Sequence, residues 1–288
     1  MAPRTVLITG CSSGIGLATA VLLAKESQHE FKVYATMRNL KSKANLENAA
    51  GDTLNKTLYI RELDVTKETT ITTVVDEILR DNGSMDILVN NAGCYTIDMI
   101  DRKSLDICQS VMDVNYWGVV RTVRAVLPAM KKQKSGRILN VTSLAGFQGF
   151  PFFATYTSSK FAVEGFSESI ASVLRDAYNI RVSIVEPGPV ATPLAVIQAN
   201  DKPTFDGSEA DMEKVFFIRR KYLKSMSHVL QTSEEIAQLH REIILSENPH
   251  MRYQSSEYVK EIAAAKFKDT STDDVLNELK RGIIDPKQ

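Results

Sequence analysis

The sequence predicts a single doubly wound α/β domain, in which helices cover both faces of a parallel sheet. Three observations lead there. Short, nearly continuous apolar runs recur along the chain, longer amphipathic stretches alternate with them, and a glycine-rich turn joins the first run to the first such stretch. Continuous hydrophobicity marks strands buried on both faces. Alternating strands and helices imply right-handed crossovers between parallel strands.

In chain order, the predicted strands are 4–9, 31–36, 58–63, 86–90, 136–142 and 180–186, each rich in Val, Ile and Leu. The predicted helices are 14–27, 67–81, 104–132 and 156–178. In the second of these, Ile71, Val74, Val75, Ile78 and Leu79 recur at spacings of three and four, leaving Asp76, Glu77 and Arg80 on the wet face. The rhythm breaks over 195–231, where Asn200–Pro203 and Asp206-Gly207 signal turns. A helix is expected over 209–226, within a small helical substrate lid at about 195–231. Another is expected over 233–245, opened by a capping box of Thr232 and Glu235. The catalytic domain is placed at 1–250, with a C-terminal extension at 251–288.

Composition narrows the function. The 288 residues carry 35 basic and 35 acidic side chains, so zero net charge removes the electrostatic drive toward nucleic acid or an anionic membrane. Cys11, Cys94 and Cys108 are odd in number and lack metal-ligand spacing, which argues against disulfides and a metal site. No apolar run approaches the roughly eighteen residues of a membrane span, and the apolar stretch within Met1–Gly10 is short for a signal peptide. The expectation is a cytoplasmic protein with no transmembrane segment.

The glycine-rich turn is Thr9-Gly10-Cys11-Ser12-Ser13-Gly14-Ile15-Gly16, directly after a strand and opening a helix. Glycines there let the backbone approach a pyrophosphate, and the helix N-terminus offers free N–H groups. The second strand ends in Met37-Arg38-Asn39. An NAD-selective site places an acid at that point. Here Arg38, with Ser12, can meet a 2′-phosphate instead, which favours NADP(H) over NAD(H). Asp64, at the end of the third strand, can cap the next helix, hold an adenine amino group, or both. The fourth strand ends in Asn90-Asn91-Ala92-Gly93, small residues suited to passing beside a cofactor, though Asn91 serves equally as a turn residue.

Tyr156 and Lys160 lie four apart on one helix face. A lysine beside a phenol favours phenolate, so the tyrosine can act as a general acid or base. Nine tyrosines make a lone pair of this kind weak evidence. Two neighbours strengthen it: Ser143 closes the fifth strand thirteen residues upstream, and Asn115 interrupts an otherwise apolar helix.

Together, Thr9–Gly16, Asn90–Gly93, Asn115, Ser143, Tyr156, Lys160 and Pro187-Gly188 resemble the short-chain dehydrogenase/reductase family, in its order and spacing, over about residues 4 to 195. The text of 5–16, 31–38 and 159–169 is similar to the subgroup that acts on retinol and 17β-hydroxysteroids. The resemblance implies a Rossmann-type fold and a homodimer. It implies that Tyr156 exchanges the proton, Ser143 orients the carbonyl, Lys160 holds the nicotinamide ribose, and Asn115 anchors a relay water. Gly10, Ser12, Ser13, Gly14, Ile15 and Gly16 would hold the pyrophosphate side and Arg38 the 2′-phosphate. Asp64 and Val65 would flank adenine, Asn91, Ala92 and Gly93 would line the ribose, and Pro187, Gly188 and Thr192 would close over the carboxamide.

Phe147, Phe150, Phe152, Phe153, Phe205, Phe216 and Phe217 crowd the expected cleft mouth, which suits a hydrophobic small-molecule substrate, though at least half of them are expected simply to pack. Steroid-acting relatives carry a lid histidine; Phe217 stands at that place here, which weighs against an oestrogen. No cysteine follows Cys108, so the C-terminal lipid-attachment cysteines of the retinol enzymes are absent. Two other readings share these residues, a broad-range carbonyl reductase and an NADP(H)-binding redox sensor without turnover. The intact Asn115, Ser143, Tyr156 and Lys160 count against the sensor.

Overall fold

The computed structural model describes residues 3–27, 31–97, 99–192, 217–218, 220–221 and 230–277. Seven strands form one parallel sheet: β1 Arg4–Ile8, β2 Phe31–Met37, β3 Leu58–Glu62, β4 Ile87–Asn90, β5 Gly136–Val141, β6 Ile180–Glu186 and β7 Arg252–Gln254. Their order is β3-β2-β1-β4-β5-β6-β7. The winding reverses between β1 and β4, and such a switch point opens a crevice at the strands' carboxyl ends.

Helices α1 Gly14–Ala24, α2 Ala44–Ala50, α3 Glu68–Asn82, α4 Leu105–Met112, α5 Gly118–Gln133, α6 Ala154–Tyr178, α7 Ser233–Leu245 and α8 Glu257–Lys268 complete the described chain. Two cores result, one on each face of the sheet. In one, Ala20 and Leu23 of α1, Leu46 of α2 and Ile243 and Ile244 of α7 cover Val6, Ile8, Val33 and Val89. In the other, Ile71 and Val75 of α3, Val123 and Val126 of α5 and Val163 of α6 cover Leu7, Leu88 and Ile138. Burial on both faces is what makes the strands read as unbroken apolar runs. A buried polar ladder crosses the sheet: Thr122 Oγ1 donates to Asn90 Oδ1 (2.6 Å), Asn90 Nδ2 to Asn140 Oδ1 (2.9 Å), and Asn140 Nδ2 to Ser167 Oγ (2.8 Å).

Three features depart from the sequence expectation. The helix expected over 104–132 is α4 and α5 joined by a π-helical turn, Asp113–Trp117. The widened turn carries Asn115, whose buried amide is fully engaged, so an inward hydrogen-bonding demand interrupts the regular ladder. The short helix α2 lies where no helix was expected, held by buried Leu46 and Ala50. The sheet continues past residue 250, because Arg252–Gln254 pair with Ile184–Glu186. Those three residues are mostly polar and too few to show a period. The expected lid helix over 209–226 is not among these departures: it lies outside the described residues apart from 217–218 and 220–221.

The capping box of α7 is present: Thr232 N donates to Glu235 Oε2 (2.6 Å) and Glu235 N to Thr232 Oγ1 (3.2 Å). At the other end of α7, Arg137 Nη1 donates to the Ile243 carbonyl (3.1 Å) and Arg4 Nη1 to that of Ile244 (3.4 Å). Guanidinium charge there complements the negative end of the helix dipole. Among the described residues no helix is long and apolar enough to cross a membrane, and no group of three potential metal ligands occurs.

Between α1 and α7, the His240 ring is fully buried, with Nδ1 2.9 Å from Thr19 Oγ1 and no partner at Nε2. Burial pushes its pKa from the ordinary 6.5 of an imidazole down to about 4. The unfolded chain therefore binds a proton below about pH 6.5 that the folded chain refuses. Stability present above that pH drains away as pH falls toward 4, by up to about 3 kcal/mol from this residue. Denaturant unfolding of the protein and of His240→Gln over pH 7 to 4 should show a shallower loss in the variant. Equal slopes would contradict the assignment.

Candidate active site

The candidate residues before position 193 gather at the carboxyl ends of the strands, and local chemistry explains why each sits there. After β1 the chain turns through Gly10 (φ +75°) and Gly14 (φ +59°), backbone angles that a side chain would strain. A Cβ on Gly10 would stand 2.7 Å from Ala92 Cα, and one on Gly16 would collide with the Gly10 carbonyl and the Asn91 amide. A Cβ on Gly14 would lie 3.1 Å from Thr192 Cγ2, so Thr192 folds back over the loop. Ser12, Ser13 and Ile15 are half-buried. Ser13 stands at the N-cap of α1 without a side-chain hydrogen bond to the helix, leaving the first-turn N–H groups uncapped. Bare glycine backbone facing an uncapped helix start is a cradle that fits a dinucleotide pyrophosphate.

Asn91 serves this cradle directly. Its Nδ2 donates to the Thr9 and Gly10 carbonyls, both at 3.0 Å. The amides of Asn91 and Ala92 donate to Thr9 Oγ1 at 3.1 and 3.0 Å. The Asn91 side chain therefore ties β4 to the loop, and Ala92 and Gly93 present backbone beside it. Arg38 is exposed after β2. Asp64 does not cap α3: its Oδ1 accepts from Thr66 N (3.0 Å) and Thr66 Oγ1 (2.7 Å), two residues on, while Lys67 holds the N-cap position. Burial works to raise the Asp64 pKa, but the Thr66 hydrogen bonds, Lys67 and Arg38 outweigh it and hold the carboxyl low. Val65 is buried against Gly118, where a Cβ would stand 2.9 Å from its own Cβ.

Ser143 opens the 3-10 turn Leu144–Gly146 after β5, its Oγ accepting from Ala145 N (3.1 Å). The Pro187 carbonyl accepts from Leu144 N (2.8 Å), and Gly188 N donates to Ser255 Oγ (3.2 Å). The turn after β6 thus braces the turn after β5. Across from it, α6 presents Tyr156, whose hydroxyl faces that of Ser143, and Lys160, whose Nζ donates to the Val141 carbonyl (3.0 Å) and lies 5.6 Å from the Tyr156 ring centre. Asn115 Nδ2 donates to the Cys94 carbonyl (2.7 Å) and Ser159 Oγ (2.9 Å), while its Oδ1 accepts from Cys94 N (2.9 Å). Gly93 fits between: a Cβ there would stand 3.5 Å from Asn115 Oδ1 and 3.7 Å from Lys160 Nζ. Asn115, Ser143, Tyr156 and Lys160 form one cluster beside the glycine cradle.

With that geometry established, comparison with known proteins decides the family. Residues 4–203 match the short chain dehydrogenase family. The chain belongs to the short-chain dehydrogenase family. As a short-chain dehydrogenase it is an oxidoreductase of CH–OH groups, similar to retinol dehydrogenase 8 of Bos taurus (39% identical over 274 residues, 94% of this chain and 87% of that one). It is also similar to 17-beta-hydroxysteroid dehydrogenase type 1 of Homo sapiens (34% over 291 residues, 99% and 87%). The crystal structure of a short-chain dehydrogenase from Streptomyces avermitilis superposes with a TM-score of 0.76 at 25% identity, covering 98% of this chain and 97% of that one.

Electrostatics in this short-chain dehydrogenase follow from burial. Desolvation pushes the Tyr156 phenol up to about 12 against the Ser143 hydrogen bond that lowers it, and Cys94 adds to the rise. Desolvation pushes Lys160 down to about 8, while Cys94 and Glu164 oppose the drop. The sequence expectation of a tyrosine tuned by lysine alone omits this burial, which dominates in the free protein. Sequence reasoning also missed Tyr95. The Tyr95 ring lies 5.4 Å from that of Tyr156 and 5.8 Å from that of Phe153, making an aromatic wall over the phenol. No periodicity marks Tyr95, because it sits in a loop; Thr9 was read within the turn motif but without its tie to Asn91 and Ala92.

Of the expected mouth phenylalanines, Phe147 is buried against Leu144, Val259 and Ala263 and packs rather than lines. Phe217, expected to touch substrate, is 48% exposed with Lys221 Nζ 5.8 Å from its ring centre, and no described contact joins it to Ser143 or Tyr156. Phe205 and Phe216 lie outside the described residues. Replacing Gly10 by alanine would force a Cβ into Ala92 at a positive φ. Gly10→Ala should destabilise the protein by about 1–3 kcal/mol and weaken NADPH binding at least tenfold, read by unfolding and by NADPH fluorescence. Unchanged affinity would contradict the cradle.

Proposed function

We propose that the protein interconverts a hydrophobic alcohol and its carbonyl with NADP(H), using Tyr156 as the general acid and base. The observation that carries this reading is the Tyr156 hydroxyl facing that of Ser143, on a helix whose next turn buries Lys160 with its Nζ 5.6 Å from the Tyr156 ring centre. Bound in the cradle, the nicotinamide cofactor supplies or accepts the hydride. Gly10, Ser12, Ser13, Gly14, Ile15 and Gly16 hold its pyrophosphate side, and Arg38 binds the 2′-phosphate. Asp64 and Val65 flank the adenine, Ala92 and Gly93 line the ribose, and Pro187, Gly188 and Thr192 cover the carboxamide. Ser143 orients the substrate oxygen and Tyr156 exchanges its proton. Lys160, as an ammonium ion, favours the phenolate, and a nicotinamide cation adds to that pull, offsetting the burial that raises the phenol. Asn115, bonded to Cys94 and Ser159, holds the loop and α6 at a fixed spacing.

Substrate class rests on two supports. Two relatives are named for retinol and a hydroxysteroid, both hydrophobic alcohols, and the rings of Tyr95 and Phe153 flank Tyr156. Phe217 is assigned to the lid that closes over that substrate. The protein acts as a homodimer through α4, α5 and α6, where Leu105, Ile107, Trp117, Phe161 and Val173 stay exposed on these helices and the π-turn between them. Residues 1–250 are proposed as the catalytic domain, with 251–288 as an extension that lends β7 to its sheet. A cytoplasmic site suits the three free cysteines.

Tyr156→Phe should lower kcat for retinal or estrone reduction by at least about a hundredfold while NADPH affinity stays within a few-fold. An unchanged rate would overturn the mechanism. Arg38→Asp should weaken NADPH by about tenfold or more and improve NADH, since a charge-assisted contact is exchanged for a repulsive one. Equal use of both cofactors by the native protein would contradict the assignment of Arg38.

A further inference from the structure

On the far side of Lys160 from the cleft lies a carboxylate cluster that the mechanism above does not use. Glu164 sits one helical turn further along α6 and is 4% exposed. Its Oε2 accepts from Arg252 Nη1 of β7 at 2.5 Å, and the same Nη1 donates to Glu186 Oε1 of β6. Arg252 Nη2 donates to Glu168 Oε1 at 2.7 Å, and Gln254 Nε2 donates to Glu186 Oε2. Three carboxylates thus share one guanidinium. The second oxygen of Glu164 is buried without a hydrogen-bond donor and lies against Gly146, where a Cβ would stand 2.5 Å from it. The Thr142 hydroxyl, just after β5, faces the same carboxyl but donates to the Val185 carbonyl (3.1 Å). Glu164 therefore touches the turn that carries Ser143 and shares a helix face with Lys160.

Lys160 needs such a neighbour. Among the described residues no carboxylate lies within 4.0 Å of its Nζ, whose one hydrogen bond is to a carbonyl. The groups that act on its charge are the Cys94 thiol, from the loop after β4, and Glu164. We propose that Glu164 is a positioning residue: held by Arg252, its carboxylate keeps Lys160 an ammonium ion and seats the Ser143 turn, while Glu186 competes for the same guanidinium. The inference rests on the catalytic reading of Lys160 given above. Burial pushes the Glu164 pKa up to about 7, with Glu186 and Glu168 pushing further and Arg252 and Thr142 pulling back, so its ionisation is sensitive to its neighbours near neutral pH.

The sign of the coupling separates this role from simple packing. Glu164→Gln removes the negative charge, so Lys160 should lose its proton about one pH unit earlier. Glu186→Gln removes the competitor, so Glu164 ionises more fully and Lys160 should hold its proton to higher pH. Competitive acetylation of the ligand-free enzyme with acetic anhydride, read at Lys160 by mass spectrometry across pH, measures this without turnover. The pH dependence of kcat/KM for NADPH-driven reduction measures it with turnover, and thermal melts confirm that each variant folds. Opposite shifts in the two variants are expected in both readouts. An unmoved Lys160 in folded Glu164→Gln, or shifts of the same sign, would overturn the proposal. If Glu164→Gln fails to fold, Glu186→Gln decides alone: an upward shift supports the proposal and none overturns it. Labelling shifts without rate shifts would uphold the role of Glu164 and refute the catalytic reading of Lys160.

Discussion

A buried ammonium group is costly unless its protons find acceptors, and Lys160 is the point about which this crevice is arranged. Its tether is a backbone carbonyl at the end of β5, so the sheet itself sets where the charge lies. The glycine at position 93 leaves room for it, and Asn115 locks the loop that carries that glycine. Holding Asn115 inward requires a widened turn between α4 and α5. One chemical requirement, a cation beside a phenol in a dry place, thus accounts for a carbonyl tether, a bare glycine and an irregular helix.

The cofactor side obeys a steric constraint of a different kind. At the switch point of the sheet, the loop after β1 and the end of β4 approach so closely that a single Cβ on Gly10 or Gly16 cannot be accommodated. Thr9 and Asn91 convert that closeness into four hydrogen bonds. The polar groups of the junction are thereby satisfied within the protein, and the glycine backbone that remains faces the crevice. Packing and recognition are the same set of contacts here.

Much of this was legible in the sequence because it depends on short-range rules. Six strands read as apolar runs since both sheet faces are covered, and the glycine spacing marked the cradle because glycine adopts positive φ without strain and leaves no Cβ at the close approach. The capping box of α7 was legible for the same local reason. What escaped depends on contacts between distant residues. The strand β7 is Arg-Tyr-Gln, unremarkable until Glu186 and Glu164 are seen to need Arg252. The π-turn at Asn115 answers to Cys94, twenty-one residues away. Asp64 looked equally fit to cap a helix or to hold adenine; the nearer Thr66 took one of its oxygens. Phe147 was counted with the cleft mouth by position and packs beneath it, because α8 brings Val259 and Ala263 against it.

The central claim is that Lys160 carries its charge at neutral pH and that the charge governs proton exchange at Tyr156. The most direct test is the pH dependence of kcat/KM for carbonyl reduction by the native enzyme with NADPH. The account predicts a rate that falls on the alkaline side as Lys160 loses its proton, with a midpoint near 8. A rate that stays flat to about pH 10, the ordinary range of a free lysine or phenol, would contradict it.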